Sequence, residues 1–150
     1  MKSPVYTYKK ANYTYNIHDT YTAGIMLEGW EVKALDYHNG DINVSYCTFK
    51  GKNFILCNCI IKPDIKHVID IKTISDKQVQ ERKLLLNKSE IIKIKSKIQI
   101  KGYTCIPLKL YRNNNGLWKL DIALVTGKSN YDKRNTLKEK DIKRDIDRNI

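Results

Sequence analysis

Hydrophobic and polar residues alternate along several short stretches of this chain, and each such stretch predicts a strand. In "YTYNI", Tyr13, Tyr15 and Ile17 share one face. Ala23 to Leu27 is a short apolar run ahead of Gly29. In "WEVKAL", Trp30, Val32 and Ala34 alternate with Glu31 and Lys33, which predicts a second strand, and the turn-rich "DYHNGD" follows as a loop. Tyr46 to Ile61 reads as strand, turn and strand, with "KGKN" turning the chain between Phe49 and Phe54. Beyond that turn Ile55, Cys57, Cys59 and Ile61 fall on one face, and Phe54, Leu56 and Ile60 on the other. A strand apolar on both faces belongs inside a closed or well-covered sheet. Pro63 ends it, and residues 62–75 read as a connection.

The period then changes. Ser75 with Gln78 matches a helix-capping pattern, and Leu84, Leu85, Leu86, Ile91, Ile92, Ile94 and Ile98 form an apolar helical stripe with a break near Asn87–Ser89. Three adjacent leucines on a helix cannot all face one core, so one of Leu84–Leu86 is expected at the surface. Gly102 is the predicted stop. "YTCIPLKLY" returns to a strand, with Ile106, Leu108 and Leu110 on one face and Pro107 demanding an edge or a bulge. "RNNNG" is a hairpin loop, and "LWKLDIALV" follows with Trp118, Leu120, Ile122 and Leu124 inward and Lys119 outward. The alternation stops after Gly127. Residues 1–12 read as a loose basic arm ending in Lys9 and Lys10.

These elements predict a mainly β fold with flanking helices: a closed antiparallel barrel of the oligonucleotide-binding type over residues 1–127, with a helical insertion, followed by a basic tail over residues 128–150. Length agrees, since 150 residues make one domain with a genuine core. Charge sharpens the picture. The formal net charge is +12. The last twenty residues carry seven positive and five negative charges, leaving +10 in the body. A basic body attracts polyanions. As a helix the tail would place like charges four apart at Arg134–Lys138, Lys140–Arg144 and Asp141–Asp145, so it is expected to be disordered when free and helical once phosphate neutralises it.

Other chemistry finds little footing. No run approaches the ~20 apolar residues of a membrane span, and no apolar run follows the first charges as a secretory signal needs. Cys47, Cys57, Cys59 and Cys105 lack metal-ligand spacing and are expected to be reduced and buried in a cytoplasmic protein. His18, His38 and His67 complete no catalytic or metal constellation, so no enzyme activity, metal or cofactor is expected; a small nuclease using His18 or His67 is the alternative from that class. Interleaved tyrosines and lysines in "YTYKKANYTY", with Arg82, Lys83 and Lys88 around the leucines, point to RNA: rings stack on bases while cations meet phosphates. A general single-strand RNA-binding or ribosome-associated barrel satisfies these features equally well.

Four stretches, "AGIMLEGWEVKAL", "RKLLLNKSEI", "GYTCIPLKLY" and "GKSNYDKRNTLKEKDIKRDI", together resemble the family of SsrA-binding proteins, or small protein B, of bacterial trans-translation. The resemblance runs from about Tyr8 to the end. It implies binding to the tRNA-like domain of transfer-messenger RNA and delivery of that RNA to stalled ribosomes, with the tail occupying the empty mRNA channel. It implies a monomer whose partners are transfer-messenger RNA and the ribosome's decoding centre and mRNA channel, with no membrane. By position it implies that Lys33, Lys83, Leu85 and Lys119 lie on the RNA face, which Lys9, Lys10 and Arg82 are expected to share. Lys128, Asp132, Lys133 and Arg134 match the start of the ribosome-facing tail, and Tyr13, Lys138, Lys143 and Arg144 are expected to contact the ribosome as well. Departures from the family pattern stand at Tyr13, where a histidine is usual, and at Thr22, where a glutamate is usual. Two positive charges are missing at Asp36 and Asn39, and "SDKQVQE" lacks the usual proline and arginine.

Overall fold

A computed structural model describes residues 3–63 and 77–128. Nine strands and three helices lie within them, in the order β1 (Tyr6–Thr7), α1 (Ala11–Thr14), β2 (Tyr15–Ile25), α2 (Gly29–Asp36), β3 (Gly40–Asp41), β4 (Tyr46–Lys50), β5 (Asn53–Cys57), β6 (Ile60–Ile61), β7 (Arg82–Leu85), α3 (Lys88–Ile98), β8 (Tyr103–Arg112) and β9 (Trp118–Gly127). The main sheet has the order β1-β8-β4-β5-β7-β2-β9, and β8 also pairs with β9. Every pairing in it is antiparallel, and the pairings from β8 through β4, β5, β7, β2 and β9 return to β8 as a ring. A two-stranded sheet of β3 and β6 stands apart.

Alternation in β9 sends Trp118, Leu120, Ile122 and Leu124 into the main core, as their spacing predicts. Phe54 and Leu56 of β5 meet them there. Gly51, at φ +62°, is the first of the two residues that turn β4 into β5, a conformation that costs glycine least. All four cysteines are free and buried.

Several expectations are corrected. The "WEVKAL" stretch is helical: the Glu28 and Glu31 side chains and backbones cap α2 reciprocally, and Glu31, Ala34 and Leu35 are buried at helical spacing. Arg82–Leu85 is a strand, with Arg82 and Leu84 buried and Lys83 and Leu85 exposed. The helix begins only at Lys88, where Asn87 and Glu90 form a second capping box. Residues 6–7 pair with β8 rather than lying loose, and Tyr13 sits in α1, with β2 starting at Tyr15. Cys57 and Cys59 share no strand, because Asn58 takes φ +61° between β5 and β6. Finally, the bulge predicted at Pro107 exists, but it changes which residues point inward. Cys105 and Leu110 reach the main core, while Ile106 and Leu108 pack on the other face against Ala11, Ala123 and Val125. The expectations for residues 64–76, including Ser75 and His67, and for the tail beyond Lys128 lie outside the described residues.

Candidate RNA interface

The outer face of the main sheet is divided. At one end of β9, Ala123 and Val125 are covered by α1 through Ala11, with Tyr8 and Tyr15 beside it. At the other end, Lys119 and Asp121 face outward without such cover. Two cross-strand rows form there. In the first, Tyr111 of β8, Lys119 of β9, Gly24 of β2 and Leu85 of β7 are successive register partners. In the second, Lys109, Asp121 and Thr22 are partners.

Gly24 gives the first row its shape. A Cβ added there would stand 3.3 Å from the Leu85 Cβ, so the missing side chain leaves a depression between Leu85 and Lys119. Its volume is about 280 Å³, and Val32, Leu117 and Trp118 also line it. Leu85 is 50% exposed and Leu117 58% exposed. Apolar side chains beside lysines suit an unpaired nucleobase whose phosphates lie alongside. Lys83, two residues before Leu85, is exposed on the same strand face, and Lys33 is exposed on α2, next to Val32.

The second row is held by its carboxylate. Asp121 Oδ1 accepts hydrogen bonds from Thr22 Oγ1 and from the Tyr111 hydroxyl, each at 3.0 Å. Burial, then the bond to Asp121 and that residue's negative charge, raise the Tyr111 phenol above its usual value, so it stays a neutral donor. Lys109 Nζ lies 5.2 Å from the centre of the Tyr111 ring.

A second basic cluster gathers where the described chain ends. Lys128 donates from its backbone to Thr14 O at 3.1 Å and from Nζ to Asn12 O at 2.5 Å. Lys128 therefore sits beside α1, which also carries Tyr13 and follows directly on Lys9 and Lys10. Lys9 and Lys10 are exposed, and the Lys9 backbone donates to Asn43 Oδ1 at 2.9 Å. Lys119 and Lys128 stand nine residues apart along β9 and its exit, roughly 30 Å at strand rise.

Arg82 does not belong with either group. It is 2% exposed and ion-paired to Glu31, and it donates to Cys59 O at 2.6 Å and to Gln78 O at 3.0 Å. Expected to meet RNA, it instead ties α2, β7 and the β5–β6 corner together. Asp132, Lys133, Arg134, Lys138, Lys143 and Arg144 lie outside the described residues. Gly24, Asp121, Tyr111, Lys109 and Leu117 escaped sequence reasoning as site residues. Alternation could have turned Lys109 and Asp121 outward, but only the register brings them together with residues of β2 and β7.

No cluster of His, Cys, Asp and Glu among the described residues could hold a metal ion, and none of their helices is long and apolar enough to cross a membrane. His18 Nε2 is hydrogen-bonded to Thr126 Oγ1 at 2.8 Å, and its ring lies 5.2 Å from that of Tyr103.

Comparison with known proteins gives a consistent picture. SsrA-binding protein of Flavobacterium johnsoniae is 45% identical over 140 residues, 93% of this chain and 90% of the relative. That of Fervidobacterium nodosum is 42% identical over the same share of this chain and 91% of its own. That of Caulobacter vibrioides is 38% identical over 97% of this chain and 93% of its own. A chain in the solved structure described by the words "tmRNA-SmpB: a journey to the center of the bacterial ribosome" superposes with a TM-score of 0.66 at 34% identity, over 90% of this chain and 95% of that one. The model of the SmpB protein family matches residues 5–150. By that match and these identities, the chain belongs to the SmpB protein family.

Proposed function

We propose that this chain binds the tRNA-like domain of transfer-messenger RNA and delivers it to stalled ribosomes for trans-translation. The ring of strand pairings is read as a closed oligonucleotide-binding-like barrel. Its outer face, at Lys83, Leu85, Gly24 and Lys119 with Lys33 near by, grips the RNA. The cluster of Lys9, Lys10, Tyr13 and Lys128 lies at the root of a basic tail that enters the empty mRNA channel, where Lys133, Arg134, Lys138, Lys143 and Arg144 meet ribosomal phosphates and Asp132 helps set the tail's start. The protein performs no bond chemistry; peptidyl transfer belongs to the ribosome, and the work is done in the cytoplasm.

The observation that carries this reading is the row Tyr111–Lys119–Gly24–Leu85: four strands converge to place a cation, a gap and an exposed leucine side by side. Membership of the SmpB family and the likeness to a chain solved with tmRNA and the bacterial ribosome in view support it. The test is affinity for the tRNA-like domain against an unrelated RNA of equal length, compared across salt because each phosphate contact steepens the dependence. The reading expects a preference for the tRNA-like domain of at least about tenfold at matched salt, as structured recognition requires. Equal affinity would leave only a general RNA-binding barrel.

A further inference from the structure

The row Tyr111–Lys119–Gly24–Leu85 does not end at β7. β5 pairs with β7 through Ile55 and Lys83 and through Leu56 and Arg82. Carried two residues on, that register brings Leu85 level with Asn53, whose partner on β4 is Lys50. Phe49 and Phe54 turn inward to the main core, so their neighbours Lys50 and Asn53 face outward, and both are exposed. At about 4.8 Å between strands, Lys50 stands roughly 10 Å across the sheet from Leu85. Lys52 is exposed in the turn between β4 and β5. The helix α3 lies against the same hairpin: Lys95 Nζ is 6.0 Å from the centre of the Phe49 ring, and the Phe49 and Phe54 ring centres are 4.6 Å apart. Lys88 is two turns before Lys95 on the same flank of α3, and close behind Leu85 in the chain. Lys50, Lys52, Lys88 and Lys95 therefore gather at one corner. Among the described residues Lys52, Lys88 and Lys95 form no ion pair, and Lys50 forms one, with Glu81 at 3.0 Å, both side chains being open to solvent. Glu90, just beyond Lys88, is engaged in capping α3. Cations gathered without matching acids favour an anion.

We propose that the β4–β5 hairpin and the start of α3 form a phosphate-binding lip that extends the RNA face beyond Leu85: Lys50, Lys52 and Lys88 meet the backbone of the strand whose unpaired base sits in the depression at Gly24. This rests on the RNA-binding reading above. An apolar seat holds a base, while the phosphates on either side of that base need cations within reach. Lys119 supplies one on the near side of the depression, and the lip supplies them on the far side, past Leu85. Contacts of this kind fix affinity and the path of the strand and carry no sequence information. Glu81 holds Lys50 in the free chain and competes with phosphate for it.

The test titrates the full chain with the tRNA-like domain of transfer-messenger RNA at several salt concentrations. Lys52→Ala and Lys88→Ala should each weaken binding and lower the salt slope by about 0.7–0.9, the value of one phosphate contact. Glu81→Gln should act in the opposite direction, tightening binding by up to about fivefold as Lys50 is released from its surface pair. Lys62→Ala removes one exposed charge away from the lip, beyond β6 and beside Asn39, and should leave the slope unchanged. Unchanged slopes for Lys52→Ala and Lys88→Ala, beside a lowered slope for Lys119→Ala, overturn the lip and leave the rest of the RNA face standing. An equal loss for Lys62→Ala overturns it too, because the effect is then one of net charge, as does a Glu81→Gln chain that binds no tighter than wild type. If Lys119→Ala also leaves the slope unchanged and the wild-type chain does not prefer the tRNA-like domain to an unrelated RNA of equal length, the functional reading itself fails, and the lip with it.

Discussion

Replacing Arg82 separates the fold from the interface. The guanidinium is 2% exposed and its partner Glu31 1% exposed. Glu31 is fully used: Oε1 accepts from the Glu28 backbone at 2.8 Å while Oε2 accepts from Arg82. Arg82→Met keeps much of the volume but strands the Glu31 charge in the core and strips charged donors from Cys59 O and Gln78 O. Breaking a buried pair by removing one partner costs about 3–5 kcal/mol, because the survivor loses its counter-charge without regaining water. At about 2–4 °C per kcal/mol for a chain of this size, the thermal midpoint falls by roughly 10 °C. Adding Glu31→Leu to Arg82→Met removes the stranded charge and should restore half or more of that loss. Urea titration followed by tryptophan fluorescence measures both steps. RNA affinity, taken at a temperature where each variant is folded, should stay within about twofold of wild type with an unchanged salt slope, since no phosphate contact is lost. A stability loss under 1 kcal/mol, together with a salt slope lower by about one, would refute the reasoning and return Arg82 to the RNA.

Other expectations follow from the same geometry. Lys119→Ala should weaken RNA binding and lower the salt slope by about 0.7–0.9, the value of one phosphate contact, whereas Leu85→Ala should weaken binding by about 1–2 kcal/mol with the slope unchanged, the pattern of lost apolar burial; titrations at several salt concentrations distinguish the two. Gly40→Ala should destabilise the fold by about 1–3 kcal/mol in urea, because its Cβ would stand 2.7 Å from Leu35 Cδ2 and 3.0 Å from the Tyr6 ring. Burial raises the Cys59 thiol from its ordinary 9.0 to about 11. The folded state therefore keeps a proton that the unfolded state has lost, so stability is complete below pH 9 and falls as pH rises towards 11, by up to about 2–3 kcal/mol; Cys59→Ala should flatten that part of the profile. A chain ending at Gly127 should keep the fold and RNA affinity yet fail to support tagging in a reconstituted stalled-translation assay.

Some of this was legible in the sequence. The β4–β5 hairpin and the inward set of β9 follow from strict alternation and glycine-bearing loops, both local signals. The errors have local causes too. "WEVKAL" satisfies alternation by accident, and its true mark is a Glu28–Glu31 capping box without the serine or threonine that usually announces one. "RKLLL" is rich in helix formers, yet β5 and β2 on either side of β7 hold it extended, and tertiary pairing outweighs propensity. One of Leu84–Leu86 is expected at the surface and Leu85 is found there, but strand alternation rather than helical turning exposes it. Lys119 could be read as outward from its neighbours alone. That Gly24 stands between Leu85 and Lys119 could not, since those partners are far away in the chain and register is set by the whole sheet. Arg82 misled because basic residues near exposed leucines look alike whether they reach outward or inward.

The most direct test of where RNA sits is photocrosslinking of the full chain to the tRNA-like domain of transfer-messenger RNA, with the modified peptides identified by mass spectrometry. Adducts concentrated at Lys83–Leu85, Lys109–Tyr111 and Leu117–Lys119 are the predicted outcome. Adducts that avoid all three stretches and gather elsewhere on the body would contradict it.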